Sequence, residues 1–121
     1  MHMQLGTQII CEPSDVTSLW TPWLARRADN ARFCYEVVAT QGSPTLDVAA
    51  VHKNAEDVVR DGTGLGLSWT DTVVGNTTFW TATASNLKEM VRFLVELTGS
   101  GGGEVEGIII RFHEPTWFNN A

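Results

Sequence analysis

The sequence has little positive charge. Its 121 residues include 8 Lys and Arg against 14 Asp and Glu, which gives a formal net charge of −6 at pH 7. The basic residues do not cluster beyond Arg26-Arg27, whereas a protein that binds a nucleic-acid backbone needs concentrated Lys and Arg to neutralise phosphates. The composition therefore argues against nucleic acid as a partner, and it suits a soluble surface or one that docks on something basic.

Long apolar runs are also missing. No stretch approaches the roughly 18 consecutive apolar residues that a bilayer-spanning helix requires. The start, Met1-His2-Met3-Gln4, lacks the charged and apolar regions of a signal peptide. We therefore expect no membrane partner and no signal peptide.

Cysteines are few: the chain has two, Cys11 and Cys34. They are able to pair, but two isolated cysteines at this spacing are more often small buried hydrophobes. No CxxC or Cys/His cluster supports zinc binding, so the sequence predicts no metal site.

Motifs for cofactor binding are absent, although two glycine clusters invite the comparison. "TGSGGGEVEG", from Thr98 to Gly107, is followed by a β-rich stretch, whereas a phosphate loop needs a following helix and usually a lysine. Glu104 and Glu106 would also repel phosphate. "DGTGLG", from Asp61 to Gly66, lacks the helix that follows a dinucleotide fingerprint. We expect no cofactor, and we interpret the first cluster as the tip of a hairpin joining the last two strands.

Catalytic motifs are lacking as well. His52 and His113 lie near the ends of predicted strands, but no Ser or Cys occupies a recognisable nucleophile motif. His113-Glu114 lacks the second histidine of a metalloprotease helix. A pair of carboxylates for glycoside hydrolysis depends on a spatial separation that no sequence motif reveals. The sequence therefore predicts no catalytic residues and no enzyme.

What the sequence does contain is a series of short β-branched and aromatic runs separated by Gly, Pro, Asn, Asp and Ser, which is typical of all-β proteins. In "ARFCYEVVAT" Phe33, Tyr35, Val37 and Ala39 share one face, and in "TLDVAAVHK" Leu46, Val48 and Ala50 do. "QGSP" between them predicts a hairpin or a sandwich crossover.

Further strands are expected at Leu5 to Cys11, at Leu65 to Trp69, in "TTFWTATA" and at Ile108 to Phe112. In the last of these, Ile108, Ile110 and Phe112 face one way, and Pro115 ends the run. The polar stretch "NAEDVVRDGTG" is expected to be a loop, and "TDTVVGN" a bend.

Two segments leave alternatives open. Leu19 to Leu24 contains Pro22, which favours an edge strand or irregular segment, while Thr21 as a cap followed by Pro22 would suit a short helix. Leu87 to Leu97 fits a helical stripe, yet Val91, Phe93, Val95 and Leu97 alternate with polar residues. We predict a strand from about Met90 to Thr98, because a helix would leave Phe93 and Val95 off its apolar face.

These strands predict an all-β fold: one antiparallel β-sandwich, jelly-roll-like, with about seven or eight strands over residues 1–121. Residues 1–4 and 116–121 are expected to be flexible or interface-forming tails. The five tryptophans are many for this length, and those left outside the core would be anchors in an interface or a sugar-stacking platform. The candidate contact residues are Trp20, Trp23, Trp80, Trp117 and Phe118.

Two stretches, "CYEVVATQGSPTLDVAAVHKNAED" and "LKEMVRFLVELTGSGGGEVEGIIIRFHEPTW", resemble small β-sandwich structural proteins of tailed-phage-type particles. The residues that carry this resemblance cover about half the chain; they are Ala39-Thr40, Gly42-Ser43-Pro44-Thr45-Leu46, Lys53-Asn54, Glu56-Asp57, Leu87-Lys88-Glu89, Val91-Arg92-Phe93, Pro115 and Trp117.

The resemblance implies a capsid decoration or cement protein on an icosahedral shell, or a small tail or neck component, without catalytic residues. Its partner would be the major capsid protein or another particle protein, and we expect the chain to form a homo-oligomer, for example a trimer. It would lie on the virion surface, and in the cytoplasm during assembly. The alternatives are a carbohydrate-binding module, indicated by the tryptophans, and a small cupin-type enzyme, for which His52 and His113 supply too few metal ligands.

Overall fold

The computed structural model describes residues 7–11, 15–71, 78–102 and 104–119, and this part of the chain contains ten strands and no helix. The strands are β1 Thr7–Cys11, β2 Val16–Trp20, β3 Leu24–Ala25, β4 Asn30–Gln41, β5 Thr45–Lys53, β6 Thr63–Asp71, β7 Thr78–Ala84, β8 Met90–Thr98, β9 Glu106–Phe112 and β10 Thr116–Phe118. The all-β prediction is confirmed.

The strands pair as one long nested hairpin. The antiparallel pairs are β1 with β9, β2 with β8, β4 with β7, and β5 with β6. Additional pairs of β4 with β9 and of β5 with β8 join these hairpins sideways into two sheets, β1-β9-β4-β7 and β2-β8-β5-β6. Two four-stranded sheets built from nested pairs are the topology of a jelly roll, which agrees with the predicted antiparallel sandwich.

The two extra strands are short continuations. After β2, residues 21–23 leave the ladder and β3 then rejoins β8. After β9, residues 113–115 interrupt the pairing, and β10 rejoins β4 opposite residues 30–32. Each interruption contains a proline, Pro22 or Pro115, which has no N–H to donate to a ladder. The chain therefore has more strands than the seven or eight predicted.

The core is the space between the two sheets, and strict alternation fills it. On β8, Val91, Phe93, Val95 and Leu97 are buried and the residues between them are partly exposed. This confirms the strand from Met90 to Thr98, because only a two-residue period places all four side chains on one face. Leu46, Val48 and Ala50 of β5, and Ile108, Ile110 and Phe112 of β9, are buried against them.

The connections correct one prediction. The segment after Gln41 runs from β4 in one sheet to β5 in the other, so it is the sandwich crossover that the sequence allowed. The glycine-rich segment after Thr98 likewise runs from β8 to β9, which lie in different sheets. The predicted hairpin tip is therefore wrong, because nested strands pair with distant partners instead of with their neighbours in sequence.

The structure also decides the predictions about two connecting segments, the cysteines and the C-terminal residues. No helix forms at 21–24. The predicted loop over 54–64 is a loop over 54–62, and its last two residues belong to β6. Neither Cys11 nor Cys34 forms a disulfide. The Cys11 thiol lies in the core and contacts the carbonyl oxygens of Asp15 (2.8 Å) and Leu97 (3.3 Å). Residues 116–118, predicted as part of a tail, form β10 instead. Residues 1–6, 72–77 and 120–121, with the parts of the predicted strand, bend and tails that fall on them, lie outside the described residues.

Candidate functional site

The five aromatic residues predicted as contacts do not form one surface, although Trp23 and Trp117 line a common cavity of about 190 Å³. The Trp80 ring stacks on Tyr35 with a centroid separation of 5.0 Å, and Trp117 meets Phe33 edge-on at 6.4 Å. Both tryptophans are half-buried and pack against the core. Phe118, at the end of β10, is 42% exposed.

Trp20 and Trp23 lie together because of the interruption between β2 and β3. Thr21 is buried there, its N–H donates to the Phe93 carbonyl (2.9 Å), and its hydroxyl accepts from the Phe93 N–H (2.9 Å). The Thr21 hydroxyl oxygen thus replaces a missing ladder acceptor, and the same hydroxyl donates to the Pro22 carbonyl (3.3 Å). Pro22 has no N–H that would need an acceptor in the ladder. This arrangement brings both indoles to the outer face of the sheet.

Arg92 lies between the two indoles. Its guanidinium carbon is 4.0 Å from the centre of the Trp20 ring and 4.3 Å from that of Trp23, within the range of cation–π attraction. Asp61 receives a hydrogen bond from Arg92 Nη2 at 3.2 Å. The Arg92 side chain is only 13% exposed, whereas Trp20 keeps 36% of its surface exposed. Trp20 is thus an accessible indole held in place on one side by a fixed cation.

Exposed apolar side chains lie on the two edge strands, β1 and β2, and they do not all share one face: Leu19 lies opposite the buried Val95, whereas Trp20 lies opposite the partly exposed Leu94. Ile10 on β1 is 51% exposed, and on β2 Val16 is 56%, Leu19 38% and Trp20 36% exposed. The Thr17 hydroxyl donates to the Ile10 carbonyl (3.0 Å), so the two strands touch. Within the described residues β1 pairs only with β9 and β2 only with β8. We call these four side chains and their strands the β1–β2 edge.

A charged cluster lies on the outer face of the other sheet. Glu36 is 4% exposed, and its Oε1 accepts from Arg111 Nε (2.8 Å), from Arg111 Nη2, and from His113 Nε2 (2.9 Å). The hydrogen bonds from Arg111, followed by those from His113, hold the pKa of Glu36 below its usual value despite burial. Glu36 is therefore an anion neutralised by its neighbours, which suits a structural ion pair better than a general base.

Cys34 lies two residues before Glu36 on the same strand. Burial, and then the Glu36 carboxylate, raise the pKa of its thiol, and Arg32 only partly opposes them. A reactive cysteine needs the opposite shift, because the thiolate is the nucleophile. The structure therefore gives no sign of an activated thiol beside His113.

The glycine-rich crossover is organised by Glu106. This side chain is 5% exposed and occupies an inward position of β9. Its Oε1 accepts from the Ser100 N–H (2.5 Å) and hydroxyl (2.8 Å), and its Oε2 accepts from the Ser43 N–H (2.5 Å). These bonds lower the pKa of Glu106. The backbone donors that would bind a phosphate are thus taken by the protein's own carboxylate.

Gly42 is required beside this carboxylate. Its φ of +78° suits glycine, and a Cβ there would lie 2.4 Å from Glu106 Oε2. Two shallow cavities of about 250 and 240 Å³ flank Glu106, the first lined mainly by apolar residues such as Ile10 and Ile109. Neither brings together a nucleophile, a base and an oxyanion donor.

His52, the other histidine weighed in the sequence, binds a connecting segment. Its Nδ1 accepts a hydrogen bond from the Lys88 N–H at 3.2 Å, and the ring is half-buried. His113 is bound to Glu36 on the opposite sheet. The two histidines therefore do not form a common site.

Sequence reasoning missed the residues that organise these clusters. Arg92 and Glu36 occupy outward strand positions, where a charged residue is usually solvated, so the sequence pattern does not distinguish them from ordinary surface charges. Glu106 had a signal: extending the alternation Phe112, Ile110, Ile108 by one step places it in the core.

The described residues hold neither a cluster of metal ligands nor an apolar helix of membrane-spanning length. No group of three or more His, Cys, Asp or Glu residues there is arranged to hold a metal ion. None of the described residues belongs to a helix long and apolar enough to cross a membrane.

The comparisons with known proteins add no family. No family model matches the chain, and neither a curated protein nor a solved structure matches it.

Proposed function

We propose that this chain is a non-enzymatic structural protein that acts through protein–protein contacts, as a decoration or cement protein on the shell of a phage-like particle. The observation that carries the proposal is the β1–β2 edge. Four large apolar side chains are exposed there on two neighbouring edge strands. Exposed apolar side chains on an edge strand are available to a partner, and the strand offers it unpaired backbone groups.

The motif residues that resemble phage structural proteins support this role. Ser43 donates to Glu106, Asn54 and Glu89 bond to each other's segments, and Trp117 packs against Phe33. Their polar groups are engaged in holding loops and sheets together. A domain rigidified in this way suits a protein that binds a partner without changing its conformation.

The partner in this proposal is the major capsid protein or another protein of the particle. A cement protein meets the shell many times, so a modest interface in each copy is sufficient when contacts are multiplied. Self-association, for example into a trimer, would multiply them further. The net charge of −6 favours a partner surface with basic residues.

A binding assay on shells tests the proposal. Shells purified from the source should contain the chain by mass spectrometry, and shells stripped of it should rebind the recombinant protein. The double variant Ile10→Lys and Val16→Lys places charges on the edge, and we expect rebinding to weaken about tenfold or more, since interface centres tolerate charge poorly.

The matched control is Val59→Lys, an exposed valine (45%) in the 54–62 loop. It should rebind like the unmodified chain. Absence of the chain from the shells, or equal binding by the double variant, would contradict the proposal.

Carbohydrate binding is the alternative, and Trp20 is the observation that favours it. The ring is 36% exposed and is fixed by Arg92. A rigid exposed indole presents the flat apolar surface on which a pyranose ring stacks. Titration with polysaccharides should then change tryptophan fluorescence, and Trp20→Ala should abolish the change while Phe118→Ala keeps it. No fluorescence change with any glycan would exclude this role.

A further inference from the structure

His52 occupies a position in β5 that the alternation assigns to the core. Leu46, Val48 and Ala50 are buried on that face, and His52 follows them two residues later. Its Nδ1 accepts from the Lys88 N–H at 3.2 Å. An imidazole nitrogen accepts only when it carries no proton, so this contact requires a neutral ring protonated on Nε2.

The Lys88 contact is part of a link between two segments, 54–57 and 87–89. Asn54 Oδ1 accepts from the Glu89 N–H (3.2 Å), and Glu89 Oε1 accepts from the Ala55 N–H (3.0 Å). The Lys88 ammonium lies 3.8 Å from a carboxylate oxygen of Asp57. His52 lies beneath this link and supplies its acceptor from the core side.

We propose that His52 is a pH-sensitive switch, which holds the 54–57 and 87–89 segments together while its ring is neutral and releases them when the ring is protonated. A proton on Nδ1 would point at the Lys88 N–H, and two donors cannot bond to each other. The ring would also become a cation beside the Lys88 ammonium. One protonation thus removes an acceptor and adds a repulsion.

The groups around the ring determine the pH at which this happens. Burial lowers the pKa of His52 most, the Lys88 charge lowers it further, and the Asp57 carboxylate raises it. Lys53 adjoins His52 on β5, and the Glu89 carboxylate lies in the facing segment. The neighbours opposite His52 in the sheet are uncharged: Thr63 on β6 and Val91 on β8.

The direction of the pH effect follows. Because folding lowers the pKa of His52, the folded arrangement accommodates the neutral ring better than the protonated one. Its stability is therefore greatest above the usual histidine pKa of about 6.5, and it falls as pH drops through the lowered value. At the opposite end of the sandwich, the hydrogen bonds of Glu106 respond differently to pH. Its pKa is lowered, so its bonds to Ser43 and Ser100 persist through the pH range in which His52 titrates. Mild acid should therefore release one end only.

The released loop carries exposed apolar residues. Val58 is 97% exposed and Val59 is 45% exposed. While the link is closed, Asn54 and Asp57 fix the start of this loop, because the Asn54 N–H donates to Asp57 Oδ2 (2.8 Å). The Asn54 side-chain Oδ1 accepts from the Glu89 N–H (3.2 Å), which joins the loop to the 87–89 segment. Protonation would let the two valines change position, which makes this surface responsive to acid.

The test is a pH titration of the whole chain by amide NMR and hydrogen exchange, between about pH 7.5 and pH 5, the range in which histidine titrates. The His52 ring should titrate below about 6.5, and the protection factor of the Lys88 amide should fall about tenfold, as expected for the loss of one hydrogen bond. The amides of Ser43 and Ser100 should keep their protection over the same range.

Two variants sharpen the test. His52→Asn places an amide oxygen where Nδ1 lies and cannot be protonated, so Lys88 protection should become independent of pH. Lys88→Gln removes the neighbouring charge and should move the transition to higher pH. An unchanged Lys88 amide in acid, or an equal loss in His52→Asn, would overturn the proposal. If His52→Asn does not fold, the wild-type and Lys88→Gln titrations decide: a transition that Lys88→Gln leaves in place overturns it.

Discussion

At the scale of single residues, the structure uses polar side chains at inward positions to close the ends of the core. His52 on β5 and Glu106 on β9 each continue a buried alternation, and each accepts backbone hydrogen bonds from a connecting segment. A loop that crosses the end of a sandwich has backbone donors that must find acceptors. An acceptor side chain at the last inward position satisfies them without lengthening the strand.

Glu106→Gln should reveal this role through pH. The glutamine amide turns an NH₂ group toward donors, so the urea midpoint should fall at neutral pH. Since the pKa of Glu106 is lowered, its contribution is fully present above the usual glutamate pKa of about 4.3 and is lost as pH falls through the lowered value. The difference between variant and wild type should therefore shrink in strong acid, as measured by urea unfolding at several pH values.

The control for this prediction is Glu104→Gln, an exposed glutamate in the same crossover. It should shift the midpoint little at any pH, because exposed substitutions change stability by about 0.5 kcal/mol at most. A pH-independent deficit in Glu106→Gln would contradict the assignment.

At the scale of elements, the break between β2 and β3 explains why two tryptophans flank one arginine. The sequence signalled the break through Pro22, and the structure shows that Thr21 repairs the ladder. The sequence did not indicate that Arg92 packs between the two indoles, because Arg92 belongs to β8, which is far along the chain. A short-range pattern predicts where a strand stops, but not what packs over the stop.

Thr21→Val should destabilise the fold by about 1–3 kcal/mol, since it leaves the buried Phe93 N–H without its acceptor while keeping the side-chain shape. Urea denaturation followed by tryptophan fluorescence measures this. Thr81→Val, at an exposed position of β7, should change stability by less than about 0.5 kcal/mol. Equal effects of the two substitutions would mean that the Thr21 hydroxyl is not an important acceptor.

At the scale of the whole molecule, the nested topology pairs the two ends of the chain. Ile9 on β1 lies opposite Ile108 on β9, and Leu19 on β2 lies opposite Val95 on β8. Such contacts close very long loops before any hydrophobic burial compensates for the lost entropy. Both sheets share one core, so neither sheet is complete without the other.

We therefore expect slow, cooperative folding, in the range of milliseconds to seconds that is typical of all-β domains rich in non-local pairs. Stopped-flow refolding monitored by tryptophan fluorescence measures the rate. Equilibrium unfolding followed by fluorescence and by circular dichroism should give coincident curves, as expected for a single domain of this size. Microsecond folding, or two separate transitions, would contradict a single shared core.

The sequence by itself determined most local features: β1 and β4 to β9 with most of their inward faces, including the strand at Met90–Thr98, and the breaks at Pro22 and Pro115. It did not indicate that β2 begins at Val16, and it assigned β10 to a tail. These follow from the two-residue period and from the missing proline donor, which neighbouring residues reveal. Tertiary structure decided the rest. The sheet that each strand joins, the crossover formed by the glycine-rich segment, the exposure of the β1–β2 edge and the placement of Arg92 between two indoles all depend on distant strands. Period and propensity are local, whereas the choice of partner depends on which apolar faces bury each other across the whole chain.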